Sequence, residues 1–110
     1  AKAHFLGRIH PMQGAVVWGA GKTGRRMVRL LEAEAIPTRR LLDINPARIG
    51  TNWRGIPILA PVGLELHGRR WRDRGLRILG AVASRGARSE IRHELDASGL
   101  REGADFLMVA

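Results

Sequence analysis

The chain has 110 residues, 45% of them hydrophobic, with no cysteine and a formal net charge of +9. That length supports one domain. Disulfides, thiolate chemistry and cysteine-based zinc sites are excluded, and there is no apolar run able to span a bilayer and no signal-peptide pattern. Nearly all the positive charge is arginine, since Lys2 and Lys22 are the only lysines. Such a charge attracts phosphates, acidic partners or an anionic membrane surface. Three tryptophans, two phenylalanines and no tyrosine do not make the aromatic platform that single-stranded nucleic acid requires, so no specific nucleic-acid partner is expected. His4, His10, His67 and His93 are scattered without metal-ligand spacing, and no metal is expected. The composition fits a cytoplasmic domain, with membrane association through the parent protein also open. Starting at Ala1 and ending on an apolar run, the chain reads as a domain cut from something longer.

Residues 1–14 read as a linker or tether. Phe5, Leu6 and Ile9 can make one helical turn there, and Pro11 stops it. Residues 15–110 read as the domain. Ala15 to Trp18 is a buried strand, followed at once by Gly19-Ala20-Gly21-Lys22-Thr23-Gly24. A helix from Lys22 to about Ala35 follows, with Val28, Leu31 and Ala35 on one face. Arg39 to Ile44 is the second strand, and a loop opening at Asn45-Pro46 reaches Gly55. Ile56 to Leu59 is a third strand, edge-like because of Pro57. Pro61 fits the first turn of a short helix. His67 to Gly75 reads as a basic hinge carrying Arg69, Arg70, Arg72 and Arg74 around Trp71. Leu76 to Ser84 is a strand buried on both faces. Gly86 to Ser98 is the last helix, with Gly99 as its stop, and Phe106 to Val109 is the last strand.

Strands alternating with helices predict an α/β Rossmann-like three-layer sandwich, with about five mostly parallel strands and helices on both faces. Ligands of such sheets sit at the carboxyl ends of the strands. Those ends are Trp18–Gly24, Asp43–Asn45 and Ala83–Gly86. The G-x-G-x-x-G run lies between strand and helix, where a phosphate loop needs it. Gly19 makes the turn, Gly21 leaves room for a phosphate, and Gly24 lets the helix approach the strand. The helix N-terminus then faces the anion, with Lys22 beside it. The binding residues expected are Gly19, Ala20, Gly21, Lys22, Thr23 and Gly24.

Asp43 is placed to accept ribose hydroxyls, and equally to make the turn before Asn45-Pro46. An acid there argues against a 2′-phosphate. Ser84 and Arg85 are candidates for a second anion contact, or simply for the cap of the last helix. Gly21-Lys22-Thr23 resembles the end of an ATPase phosphate loop, but Val16 stands where that pattern needs glycine. No catalytic constellation is present. Glu32 and Glu34 fall on different helix faces and make no working carboxylate pair.

Three stretches carry a resemblance: Val17-Trp18-Gly19-Ala20-Gly21-Lys22-Thr23-Gly24-Arg25-Arg26, Asp43-Ile44-Asn45-Pro46-Ala47-Arg48-Ile49-Gly50, and Gly55-Ile56-Pro57-Ile58. With Val82 to Arg88 and Leu100 to Leu107, they resemble the small Rossmann-like domain at the C-terminal end of some bacterial family-two glycosyltransferases. A more distant likeness is to the N-terminal, nucleotide-sugar-binding domain of bacterial sugar acyltransferases, where an acid opens a D-x-x-P-x-x-x-G loop; Asp43, Pro46 and Gly50 match it. The resemblance implies that the glycine loop and Asp43 meet a nucleotide or nucleotide sugar. It implies that glycosyl transfer belongs to a catalytic domain upstream in the same parent chain, this domain being non-catalytic alone. Two other readings stand beside it. One is an NAD-binding fragment of a sugar oxidoreductase or epimerase, against which no Tyr-x-x-x-Lys pair is available. The other is a docking module whose loop is vestigial.

Overall fold

The computed structural model describes residues 4–109; residues 1–3 of the expected tether and Ala110 lie outside that range. A 3-10 turn over His4–Arg8 leads into β1 (Gly14–Trp18), α1 (Lys22–Ala33) and β2 (Thr38–Leu42). After a loop come β3 (Asn52–Trp53), β4 (Ile56–Leu59), α2 (Leu64–Asp73), β5 (Leu76–Gly80), α3 (Arg85–Ala97) and β6 (Phe106–Met108). The sheet order is β3-β4-β2-β1-β5-β6. All neighbours are parallel except β3 and β4. This is the expected Rossmann-like α/β architecture, with one more strand than foreseen.

Alternation along β1 builds the two sides of the core. Ala15 and Val17 join Val28 and Leu31 of α1 on one face. Val16 and Trp18 join Leu64 of α2 and Ile91 and Leu95 of α3 on the other. Because β1 is buried on both faces, it has no polar alternation to show, as is usual for a central parallel strand. The strand order reverses around β1, which has β2 on one side and β5 on the other. The carboxyl ends of these three strands therefore open a crevice.

Several sequence expectations change, the first being that the short helix starts at Leu64 after Gly63 as N-cap, leaving Pro61 outside its first turn. Within the expected tether, Phe5 and Ile9 are buried in the α1-side core, so residues 5–9 pack as part of the body. The expected basic hinge at 67–75 is mostly helix, because α2 runs to Asp73. Gly68 reads as a break, yet a Cβ there would lie 2.8 Å from Leu100 Cδ1; its small size permits close packing. Pro57 does not mark the edge, since β3 pairs antiparallel outside it with Asn52 opposite Pro57. Finally, β5 ends at Gly80 rather than Ser84. Ala81 N–H still donates to Trp18 O at 2.9 Å, and the chain then leaves the sheet to build the crevice wall.

Candidate functional site

The glycine loop turns sharply out of β1. Gly19 has φ of +128°, and a Cβ there would collide with Ala81 O. A Cβ on Gly24 would collide with the carbonyl oxygen of Gly19. Helix and loop thus meet backbone to backbone. Gly21 is the N-cap of α1 and supplies no side-chain cap, and the first turn contains no acidic residue. The positive end of this helix is left without an anionic partner from its own first turn. Lys22 stands exposed at its first position.

Asp43 follows β2 and is buried. Its Oδ2 accepts the Ala20 N–H at 2.9 Å and the Arg48 guanidinium at 3.1 Å. Its Oδ1 accepts the Asn45 N–H at 2.8 Å. Burial pushes the Asp43 carboxyl up, but the Asn45 and Ala20 N–H groups and Arg48 together outweigh it and hold the pKa below its ordinary value. Of the two roles open to Asp43, the turn-making one is realised. It staples the glycine loop to the loop after β2. A ribose diol would have to displace Arg48 to use both oxygens.

Arg48 is the residue that sequence reasoning passed over. Asn45 Oδ1 accepts the Ala47 N–H, and Asn45 O accepts the Arg48 N–H. That single turn brings the guanidinium back over the loop, where Nη1 lies 3.4 Å from the place a Gly21 Cβ would occupy. The signal was the spacing D-x-x-x-x-R inside a turn that Asn45-Pro46 had already marked.

A recess of about 230 Å³ lies over the loop, lined by Gly21, Lys22, Thr23, Gly24, Asp43 and Arg48 among others. A second, mainly apolar slot of about 190 Å³ adjoins it, walled by Ile44, Pro61, Val82, Ala87 and Ile91, with Glu90 and Glu94 of α3 also lining it. Gly19, Asp43 and Val82 line both. Whole small-molecule pockets are larger, about 300–1,000 Å³, so each recess fits one part of a ligand. The first offers cationic and N–H donors for a phosphate. The second offers flat apolar walls for a ring.

The expected residues are therefore not all brought together. Gly19, Gly21, Lys22, Thr23, Gly24 and Asp43 line the recess, and Ala20 is tied beneath it through Asp43. Ser84 is the N-cap of α3, its hydroxyl accepting the Ala87 N–H at 3.4 Å. Arg85 is exposed on the first turn of α3 and lines neither recess. Arg25 is committed elsewhere. Its Nε donates to Ala20 O at 3.1 Å, and its guanidinium lies 5.3 Å from the Trp53 ring. Arg29 and Arg54 approach the same indole at 5.5 and 5.3 Å. Among the described residues, no group of three His, Asp or Glu is arranged to hold a metal ion.

These features define a Rossmann-like domain with an open, cationic glycine loop. Among solved structures, the chain is similar to UDP-D-quinovosamine 4-dehydrogenase from Vibrio fischeri, with a TM-score of 0.69 and 21% identity over 90% of this chain and 79% of that one. It is also similar to RSP, a Rex-family repressor, with a TM-score of 0.63 and 14% identity. A structure of that repressor with β-NADH gives a TM-score of 0.61 at 14% identity. The chain spans about half the length of these repressor chains, 53% and 54%. At such identities the likeness establishes the fold. No protein-family model and no curated protein matches the chain.

Proposed function

We propose that this chain is a nucleotide-binding accessory domain whose glycine loop holds the phosphate of a nucleotide or nucleotide sugar. The observation that carries the reading is the Arg48 guanidinium poised over Gly21, above a helix start with no cap of its own. A phosphate set there receives α1 N–H groups from below and Arg48 from the side. The base would lie against Ile44, Pro61 and Val82. The glycosyltransferase setting is supported by the three sequence stretches described above. In that setting, glycosyl transfer resides in an upstream domain of the parent chain, and this domain contributes ligand capture.

A second reading, NAD binding, is favoured by the Rex-family structures determined with β-NADH and with β-NAD+ and operator DNA. UDP-sugars and NAD each carry both a ribose diol and a pyrophosphate, so the separation rests on which of them binds and on how Arg48 responds. A ligand whose diol docks on Asp43 must displace Arg48, so its affinity rises in Arg48→Gln. A ligand whose phosphate docks beneath Arg48 loses affinity in the same variant, about tenfold, since a hydrogen bond to a charged group contributes roughly 1.5 kcal/mol or more. Calorimetric titration of UDP-glucose, UDP-N-acetylglucosamine and NAD into both proteins tests this. Loss for the UDP-sugars supports the first reading. Binding of NAD alone, strengthened in Arg48→Gln, supports the second.

A further inference from the structure

The face of the sheet that α2 and α3 cover is closed over Val16, Trp18 and Leu42 but leaves a strip open at Arg40 and Leu59. Both helices pack on β5, and α3 also on β6. Arg40 of β2 points to that same face, because it alternates with Leu41 and is in phase with Leu42. Leu59 of β4 does so too, alternating with Ile58. Arg40 is exposed, and Leu59 is 38% exposed.

Between this open strip and α2 lie two adjoining recesses of about 270 and 420 Å³, both lined by Arg40 and Trp71. The first is cationic, with Arg39, Arg40 and Arg74 around Gln13. The second is apolar, with Leu59, Ala60 and Val62 beside His67. The His67 ring stacks on Trp71 at 6.1 Å and 24°, making a flat wall between the halves. No carboxylate lines either recess. Three arginines line the first recess with no acid among them, so its potential favours an anion, even with Arg40 Nη1 donating to Arg39 O at 2.7 Å. Val62 and Leu66, 70% and 52% exposed, continue the apolar end at the start of α2. Glu65 and Asp73 of α2 stand outside the groove.

A free anion would use only one end of this groove, and a hydrocarbon only the other. An amphiphile with a phosphate head satisfies both. We propose that this groove docks the chain on an anionic bilayer, with a lipid phosphate among Arg39, Arg40 and Arg74 and acyl carbons against Leu59, Val62 and Trp71. No described helix is long and apolar enough to cross a membrane, so the contact is made from the surface. The groove shares no lining residue with the recess over the glycine loop, and the proposal stands apart from nucleotide binding.

Co-sedimentation with phosphatidylcholine vesicles, with and without about one-third phosphatidylglycerol, tests it. Binding to the anionic vesicles is expected. Each arginine near an anionic surface is worth roughly fivefold in partitioning, so Arg39→Gln/Arg40→Gln/Arg74→Gln together lower it by about a hundredfold. The control Arg8→Gln/Arg26→Gln/Arg101→Gln removes the same charge from exposed positions outside the groove and lowers it far less. Val62→Ser/Leu66→Ser, both at exposed positions, lower the salt-resistant part of binding by about tenfold. Equal losses in the two arginine triples would reduce the effect to net charge and overturn the proposal. So would absence of binding to anionic vesicles, or NMR shifts around the groove with inorganic phosphate that match those with vesicles.

Discussion

Asp43 spends its carboxylate on holding two loops together, and that makes it a pH-sensitive residue. Its folded pKa lies below the ordinary value. The stabilisation is therefore complete above the unfolded pKa of about 3.9 and is lost as pH falls through the folded value. Asp43→Asn is expected to lose about 2 kcal/mol in urea unfolding at pH 7, since the amide keeps a single acceptor oxygen and either the Ala20 or the Asn45 N–H loses its partner. The gap between variant and parent should close as the pH falls through the lowered folded pKa of Asp43. The two helix-start glycines make a sharper pair. Gly21 has φ of −85°, and its nearest neighbour is the movable end of Arg48. Gly21→Ala should change stability by less than about 1 kcal/mol while weakening phosphate binding. Gly24→Ala sets a Cβ against the Gly19 carbonyl, and a loss of about 3 kcal/mol or outright unfolding is expected by thermal melting.

At the scale of elements, much was legible because local signals agreed with the fold. The order strand, glycine turn, helix, strand, acid placed β1, α1, β2 and the crevice correctly. The alternation of strands with helices implied the parallel sheet. What failed had physical causes. Gly68 and Gly75 bracket a run of arginines that looks like a loop, but Gly68 faces Leu100 and Gly75, at φ +79°, only follows the end of α2. The two-residue β3 has no periodicity to read, and Trp53 owes its place to the arginines of α1 and its own hairpin. Arg48 is not legible in the sequence because its position arises from a turn folding back, which spacing alone does not display. The N-terminal segment reads as a tether because so short an apolar pattern does not reveal its partner. With Phe5 7% exposed in the core, Phe5→Ala should cost about 3 kcal/mol in denaturant unfolding. A cost near zero would return the segment to the role of tether.

For the molecule as a whole, the crevice and the proposed lipid groove divide the work that a charge of +9 can do. One concentrates donors at a helix start, where a single phosphate can be held. The other spreads three arginines beside an apolar strip, where a surface can be met. Under the proposed glycosyltransferase setting, a domain that captures a nucleotide sugar at a bilayer would supply an upstream catalytic domain. Nucleotide capture is the central claim, and a two-dimensional NMR titration tests it most directly. NAD, UDP-glucose, UDP-N-acetylglucosamine, CoA and inorganic phosphate would be added in turn to the chain and to Gly21→Asp. Saturable shifts at residues 19–24 and 43–48 with a nucleotide ligand, lost in Gly21→Asp, are the predicted result. Unmoved resonances there at millimolar concentrations of every ligand would contradict the claim and leave a Rossmann-like body that serves for docking alone.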